Sequence, residues 1–501
     1  MHELEHVVRN GEEDGVPKAD SRHNEVLSEC LDELGWSPKA LARKLNRVFG
    51  AGTVAESAPY HWRDSAGVPR SPLPAMTAYV LSQELGRQVT VEHLWQGKAL
   101  DAPLLLAADA NLERTWTVKG LDQIVEDWVL GGLVDRRRFL AISGAGLLAA
   151  ISQYLNGTAG RGTFAPRITD DESPDPLVAQ VEQNLPLLQV LDDANGGARH
   201  LPYVGAQFRA VGLLLQEGGL SENATVRLIR AFAEIGQLAG WMAFDSADHG
   251  LAQRYFVTAL RAAHQVNDRQ LCAHILADMS FQAASRRHPA DAVSLGEAAR
   301  RASVGGTASV QASVLSRLAH GYAAAGRTTD FERTSGLARE LIETRRGNEV
   351  EPRWMYFLTP NHLECQTGYS MINLGRSAFG EGNRSTGRGL VRRGEALLGT
   401  GAHMVSKGDP SQRRALFEGA WLALGYSTSG ELERSCEIAR TAIARLETVR
   451  SPRSTEILQQ LAVELRRRQR NPHVRTFLPE LEEGLRIYAG TGPGRADTVG
   501  A

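Results

Sequence analysis

Along most of this chain the apolar positions recur every three or four residues. From Leu177 to about Tyr488, one Ala-, Leu-, Arg- and Glu-rich segment follows another, broken by short turns of Gly, Pro, Asn or Asp. No segment sustains the alternation of a half-buried strand, so the pattern predicts an all-α protein. The segments also resemble each other. LAHGYAAAGRTTDFERTSGLARELIE from Leu318 and WLALGYSTSGELERSCEIARTAIARLE from Trp421 share Gly-Tyr, three residues, Gly, a charged turn and an Ala-Arg helix. Gly321-Tyr322 with Gly326 thus mirrors Gly425-Tyr426 with Gly430, a separation close to three repeats of about 34 residues. Gly368-Tyr369 with Gly375 reads as a looser copy, and Cys272 to Ala299 as a further helix pair. Ala and Gly let paired helices approach closely, which predicts an elongated, curved α-solenoid of TPR-like pairs over 177–488.

The first hundred residues carry shorter stripes. Val26, Leu27, Cys30, Leu31 and Leu34 make one helix, stopped at Gly35. Ser37 as N-cap and Pro38 in the first turn open a second helix, with Leu41, Leu45 and Val48 inside. Lys39, Arg43 and Arg47 fall on its opposite face, with Lys44 at the flank. After a loop containing Gly50 and Gly52, Ser57 is the expected cap of a short helix with Pro59 in its first turn. That helix holds Tyr60, His61, Trp62 and Arg63 and ends by Gly67 and Pro69. Pro74 to Leu85 reads as a fourth helix, with Met76, Val80, Leu81 and Leu85 inside, and Val91, Leu94 and Trp95 as a short fifth.

This arrangement predicts a repressor-type helix-turn-helix domain over 23–110 that binds double-stranded DNA. Lys39, Arg43, Lys44 and Arg47 would face phosphates; Tyr60, His61 and Arg63 would face base edges, with Arg63 best suited to guanine; Arg70 would reach a phosphate. Trp62 would pack inward. The competing reading of the basic arc is a solvated amphipathic face. About ten residues separate the second helix from Ser57, where three to four are usual.

Charge supports the placement. The net charge is −2, but residues 1–35 carry 3 Lys/Arg against 10 Asp/Glu, and residues 36–98 carry 8 against 4. The acidic start, 1–22, has neither a basic region nor an apolar core, so it reads as a disordered tail and not a secretory signal. Residues 489–501 read as a second tail. Cys30, Cys272, Cys365 and Cys436 show no metal-ligand or redox spacing and are expected as buried thiols of a cytoplasmic protein.

Residues 111–155 read as linker helices, with Leu121, Ile124, Val125 and Trp128 on one side of the first. DRRRFLAISGAGLLAAI, Asp135 to Ile151, imitates a twin-arginine export signal. It lies more than a hundred residues into the chain, and its apolar run from Phe139 is far shorter than the roughly 20 residues that span a bilayer. A docked linker helix is the expectation, with no membrane contact. Gly144-Ala-Gly146-Leu-Leu-Ala149 matches a dinucleotide fingerprint, but no strand precedes it. Residues 156–176, rich in Gly, Pro, Asp and Ser, read as a flexible linker.

In the repeat region, Trp354, Tyr356, Phe357 and His362 are the most suggestive pocket-lining cluster for a partner, although aromatic side chains in helical repeats also serve as core. His249, His264 and His274 have no metal-ligand spacing. No arrangement of nucleophile, base or paired carboxylates marks a catalytic site, so the expectation is a binding protein that is not an enzyme and needs no cofactor or metal.

The segments SPKALARKLN, APYHWRD, GVPR, LPAMTAYVLSQELGRQVT and LWQG, with VEDWVLGGLVDRRRFLAISG and PRWMYFLTPNHLECQTGY further on, carry a resemblance. They are similar to a group of actinomycete regulators in which a helix-turn-helix precedes a TPR-like region, nearest the NsdA-like negative regulators of differentiation and antibiotic production. The resemblance implies a repressor of developmental and antibiotic-biosynthesis genes; the helical repeats themselves suggest a TPR-like region for dimerisation, as a homodimer, and for partner or effector binding. Two alternatives stand beside it: a TPR-type adaptor that binds no DNA, and a membrane-associated or exported protein using Asp135 to Ile151.

Overall fold

The computed structural model describes residues 23–49, 53–65, 67–69, 73–85, 89, 94–95, 116–130, 175–345, 349–401, 403, 405–406 and 408–489. These residues form nineteen α-helices, one short 3-10 helix and no strand. The tails at 1–22 and 490–501, Arg70, the Asp135 to Ile151 segment, the GxGxxA match and the flexible linker up to Pro174 lie outside the described residues. The chain divides into two compact units: Met1–Arg47 with Ala51–Leu105, and Leu106–Ala501 with Val48–Gly50.

The first unit contains α1 (Glu25–Glu33), α2 (Pro38–Phe49), α3 (Ala58–Asp64) and α4 (Leu73–Leu85). Asn24 organises it. Its Oδ1 accepts from Leu27 N at 3.0 Å to cap α1, its Nδ2 donates to Leu94 O at 2.9 Å, and its backbone N–H donates to Arg63 O at 2.7 Å. Gly35, at φ +63°, ends α1 in the left-handed conformation that glycine adopts freely. Leu27, Leu41 and Leu45 are fully buried, and Trp62 meets Trp95 edge-on at 6.3 Å. Ser37 caps α2 as expected, accepting from Ala40 N at 3.2 Å. Ser57 does not cap α3: its backbone is already helical and its side chain makes no capping bond.

The second unit begins with α5 (Val118–Leu130). Leu121, Ile124, Val125 and Trp128 are all buried, and Trp128 donates to Thr258 Oγ1 at 3.1 Å. This helix is therefore packed within the second unit. After it come α6 (Pro176–Asn195), α7 (Gly197–Glu217), α8 (Glu222–Asp245), α9 (His249–Gln265), α10 (Arg269–Ser285), α11 (Pro289–Ala302), α12 (Ala308–Ala324) and α13 (Thr328–Glu343). The row continues with α14 (Pro360–Gly380), α15 (Arg384–Leu398), α16 (Gln412–Ser429), α17 (Leu432–Arg445), α18 (Pro452–Arg466) and α19 (Pro472–Ala489). From α8 onward they form successive pairs, and the first helix of each pair packs on the first helix of the next.

The sequence repeat has a backbone cause. Six turns of the second unit share one form, each with a residue of positive φ: Ala247, Asn267, Arg287, Gly326, Gly382 or Gly430. In each, the next N–H reaches back five residues to a carbonyl at 2.9 Å: Asp248 to Ala243, Asp268 to Ala263, His288 to Ala283, Arg327 to Tyr322, Asn383 to Ala378 and Glu431 to Tyr426. This bond satisfies a carbonyl that the helix end leaves open. The Gly-Tyr-x3-Gly signature therefore places the tyrosine carbonyl and the turn glycine four residues apart. Gly368-Tyr369 with Gly375 is not a copy in the same register, since the turn glycine of that pair is Gly382. Gly368 and Gly375 serve close approach instead. A Cβ on Gly394 of α15 would lie 2.5 Å from Gly368 O, and one on Gly387 would lie 2.8 Å from Gly375 O.

The row does not stay open, which corrects the expectation of an elongated solenoid. Helix α6 packs on α16 and α8 packs on α18. Arg450 N donates to Asn195 O at 2.7 Å, and the buried Asp245 carboxylate accepts from Gly197 N, Ser451 Oγ and Arg453 Nε at 3.1, 2.8 and 3.1 Å. These bonds join the start of the row to its end, so the inner face becomes the wall of a cavity. No helix among the described residues is long and apolar enough to cross a membrane.

Candidate functional site

In the first unit, α2 presents Lys39, Arg43 and Arg47 toward solvent, as the stripe of Leu41 and Leu45 requires. The loop between α2 and α3 is long, but it is pinned: Asn46 Nδ2 donates to Val54 O at 2.8 Å and Asn46 Oδ1 accepts from Val54 N at 2.9 Å. The loop carries Glu56 back onto the arc, where it meets Lys39 at 2.7 Å and Arg43 at 3.1 Å. Hydrogen bonds from Lys39 and Arg43 hold the Glu56 carboxyl below its ordinary pKa. Lys44 turns toward Glu84 of α4 at 2.6 Å and is largely withdrawn.

On α3, Tyr60 and His61 are exposed and Trp62 is buried. Arg63 differs. Its guanidinium binds Asp64 at 2.6 Å and lies 5.6 Å from the centre of the Tyr60 ring, a position set by the neighbouring acid. The hydrogen bond to Asp64 also raises the Arg63 pKa. A base contact by Arg63 requires that it leave Asp64. Arg70, the remaining member of the set, lies outside the described residues.

In the second unit, the first helices of the pairs surround a cavity of about 390 Å³. Trp354, Tyr356, Phe357 and His362 all line it, so the structure brings together the whole aromatic cluster. They are held by the segment that crosses between α13 and α14. Arg353 donates to both oxygens of Glu234 at 2.7 and 2.8 Å, and Trp354 stacks on His274 with centroids 4.7 Å apart. Tyr356 is half-exposed, but its hydroxyl donates to Asp193 Oδ2 at 2.7 Å. His362 Nδ1 lies 3.0 Å from Phe357 O.

Charged groups of both signs share this site. Arg413 meets Asp192 at 3.0 Å and Asp193 at 2.8 Å; Arg453 meets Asp245 at 3.1 Å; Arg414 pairs with Glu418. Burial pushes Asp192 up to about 7 against the pull of Arg413. Burial would lower Arg413, but Asp192 and Asp193 hold it above its ordinary value. Burial lowers His274, and burial with the Arg414 charge takes His362 well below the usual imidazole range, so both rings are neutral near pH 7.

The guanidiniums of Arg317, Arg413 and Arg453 lie 4.9, 5.6 and 5.0 Å from the centre of one ring, Trp241. None of these four residues stands out in the sequence. An arginine in an Ala-rich helix reads as surface, and only its position in phase with the apolar stripe, as in VLSRLAHGY around Arg317, marks it as inward. The four cysteines are buried and none forms a disulfide, and no group of His, Cys, Asp and Glu among the described residues is arranged to hold a metal ion.

A family model described as the SP15 N-terminal domain matches residues 27–94, the stretch from α1 through Leu94. No curated protein and no solved structure matches the chain.

Proposed function

We propose that this chain is a DNA-binding transcriptional regulator in which a helix-turn-helix unit is followed by a TPR-like unit for effector or partner binding and dimerisation. The observation that carries the reading is the solvent-facing arc of Arg43 and Arg47 with half-exposed Lys39 on α2, together with exposed Tyr60 and His61 on α3, in a small unit of its own. Phosphate contacts from α2 would supply affinity, and α3 would supply selectivity. Glu56 lies on the arc, so DNA has to displace it or draw Lys39 and Arg43 away. Exposed pairs of this kind are weak and salt-screened, so phosphates can compete with it. Repression of developmental and antibiotic-biosynthesis genes follows from the resemblance to the NsdA-like group, and a cytoplasmic location from the unpaired spacing of the cysteines and the internal position of the twin-arginine-like run.

Gel retardation with genomic fragments tests the reading. Specific retardation that is lost in the Arg43→Ala/Arg63→Ala double variant supports it; no retardation even at low salt rejects it. One observation favours the alternative of a TPR-type adaptor: Lys39, Arg43 and Lys44 are already matched by Glu56 and Glu84. An adaptor would retard no fragment at any salt concentration.

A further inference from the structure

The cavity of the second unit contains one charge that its surroundings leave without a hydrogen bond. Arg317 is only 6% exposed, lines the cavity, and lies 4.9 and 4.4 Å from the centres of the Trp241 and Phe281 rings. Its ionic neighbour is Asp278 Oδ1, at 3.7 Å, too far for a hydrogen bond, and its Nε has no acceptor. A buried guanidinium normally has acceptors for its fork of donors, because burying it without them is costly. Arg413 Nε also has no acceptor, but the other two guanidiniums on Trp241 have close carboxylate partners, Asp192 and Asp193 for Arg413 and Asp245 for Arg453.

The carboxylates are only partly provided for, since Asp192 Oδ1 and Asp278 Oδ1 also have no hydrogen bond. Asp278 Oδ2 accepts from Gln237 Nε2 at 2.7 Å, and Asp193 accepts from both Tyr356 and Arg413. Burial also moves Asp192 toward its neutral form near pH 7. What the site offers a ligand is therefore a buried guanidinium with no hydrogen bond of its own, beside a wall of indole and phenyl rings.

We infer that the cavity binds a small carboxylate with an aromatic or similarly flat apolar body, its carboxylate on the guanidinium of Arg317 and its body between Trp354, Trp241 and Phe357. The volume, about 390 Å³, suits a small molecule. A planar guanidinium is matched to a carboxylate by two parallel hydrogen bonds, which the neutral amide of the same shape cannot form. The inference extends the effector part of the proposed function and does not depend on DNA binding.

Calorimetry on the full chain with three shape-matched probes tests it: 2-naphthylacetate, 2-naphthylacetamide and 2-(2-naphthyl)ethylamine. The expected result is that the acetate binds at least about tenfold more tightly than the amide, a difference in keeping with charge-assisted hydrogen bonds. Arg317→Gln/Asp278→Asn removes both members of the loose pair, so that neither charge is left alone, and should abolish the preference. Val190 lines the cavity and is half-exposed, so Val190→Trp can obstruct it without disturbing the core; it should weaken the acetate even if the double variant does not fold. Equal binding of acetate and amide, tighter binding of the amine, or no binding of any probe overturns the inference. Tighter binding of a tetrapeptide than of the acetate also overturns it, in favour of a peptide end. A chain that binds the acetate but retards no DNA leaves this inference standing and removes only the DNA reading.

Discussion

The arc on α2 and the charge cluster of the cavity are made from the same side chains but in opposite surroundings. Arg43 and Glu56 meet with side chains 63% and 50% exposed; Arg453 and Asp245 meet with side chains 9% and 0% exposed. Water and salt screen the first pair, so it contributes little and exchanges readily for another partner. The second pair cannot exchange, because removing either partner strands a charge away from water. The first arrangement suits reversible capture of a polyanion; the second fixes the ring of helix pairs around one cavity.

The sharpest way to break this contrast is Asp245→Ala. The change orphans Arg453 and leaves Gly197 N and Ser451 Oγ without their acceptor, and it should cost about 3–5 kcal/mol in urea unfolding of the second unit. A cost near zero would show that the ring is not held by this joint. Next in size is Gly394→Ala, whose new methyl would lie 2.5 Å from Gly368 O on the facing helix. A loss of about 1–3 kcal/mol is expected, typical of overpacking. An unchanged midpoint would mean that α14 and α15 can separate without penalty.

Acid should act through the buried groups. Burial holds His249 near 4 and His320 near 3, below the ordinary 6.5. As pH falls through 6.5 the unfolded chain takes up these protons and the native chain does not, so stability is lost. Asp192 acts in the opposite sense. Its folded pKa of about 7 lies above the ordinary 3.8, so the native state holds a proton that the unfolded state gives up, and stability is gained as pH falls from about 7 toward 4. Two histidines outweigh one aspartate, so the melting temperature should fall from pH 7 to pH 5, more steeply in Asp192→Asn. A flat profile would contradict the burial of these groups. The smallest effect on stability is expected for Glu56→Gln, which should leave the melting temperature unchanged while strengthening DNA binding several-fold at low salt.

The two regions are not equally legible in the sequence. The stripes of α1, α2 and α5 can be read from spacing because one face of each helix is buried and the other solvated. The Gly-Tyr-x3-Gly repeat is legible because it records a local backbone bond at Tyr322 and Tyr426. The aromatic cluster at 354–362 stands out for its composition, and it does line the cavity. The role of Glu56 is hidden because thirteen residues of chain separate it from Arg43, and only the loop pinned by Asn46 brings them together. The closure through Asp245 and Arg453 joins residues 208 apart in sequence, so no local pattern records it. The meeting of Arg317 with Trp241 is hidden for the same reason, although the phase of Arg317 with its apolar stripe is local.

The central claim is that α2 meets phosphates, and the salt dependence of DNA binding tests it most directly. Fluorescence anisotropy with a retarded genomic fragment, titrated from low to physiological salt, should give a log–log slope of about −3 if Lys39, Arg43 and Arg47 each neutralise one phosphate. Arg43→Ala should make that slope shallower by about 1. A slope near zero, or no binding at the lowest salt, would contradict the account.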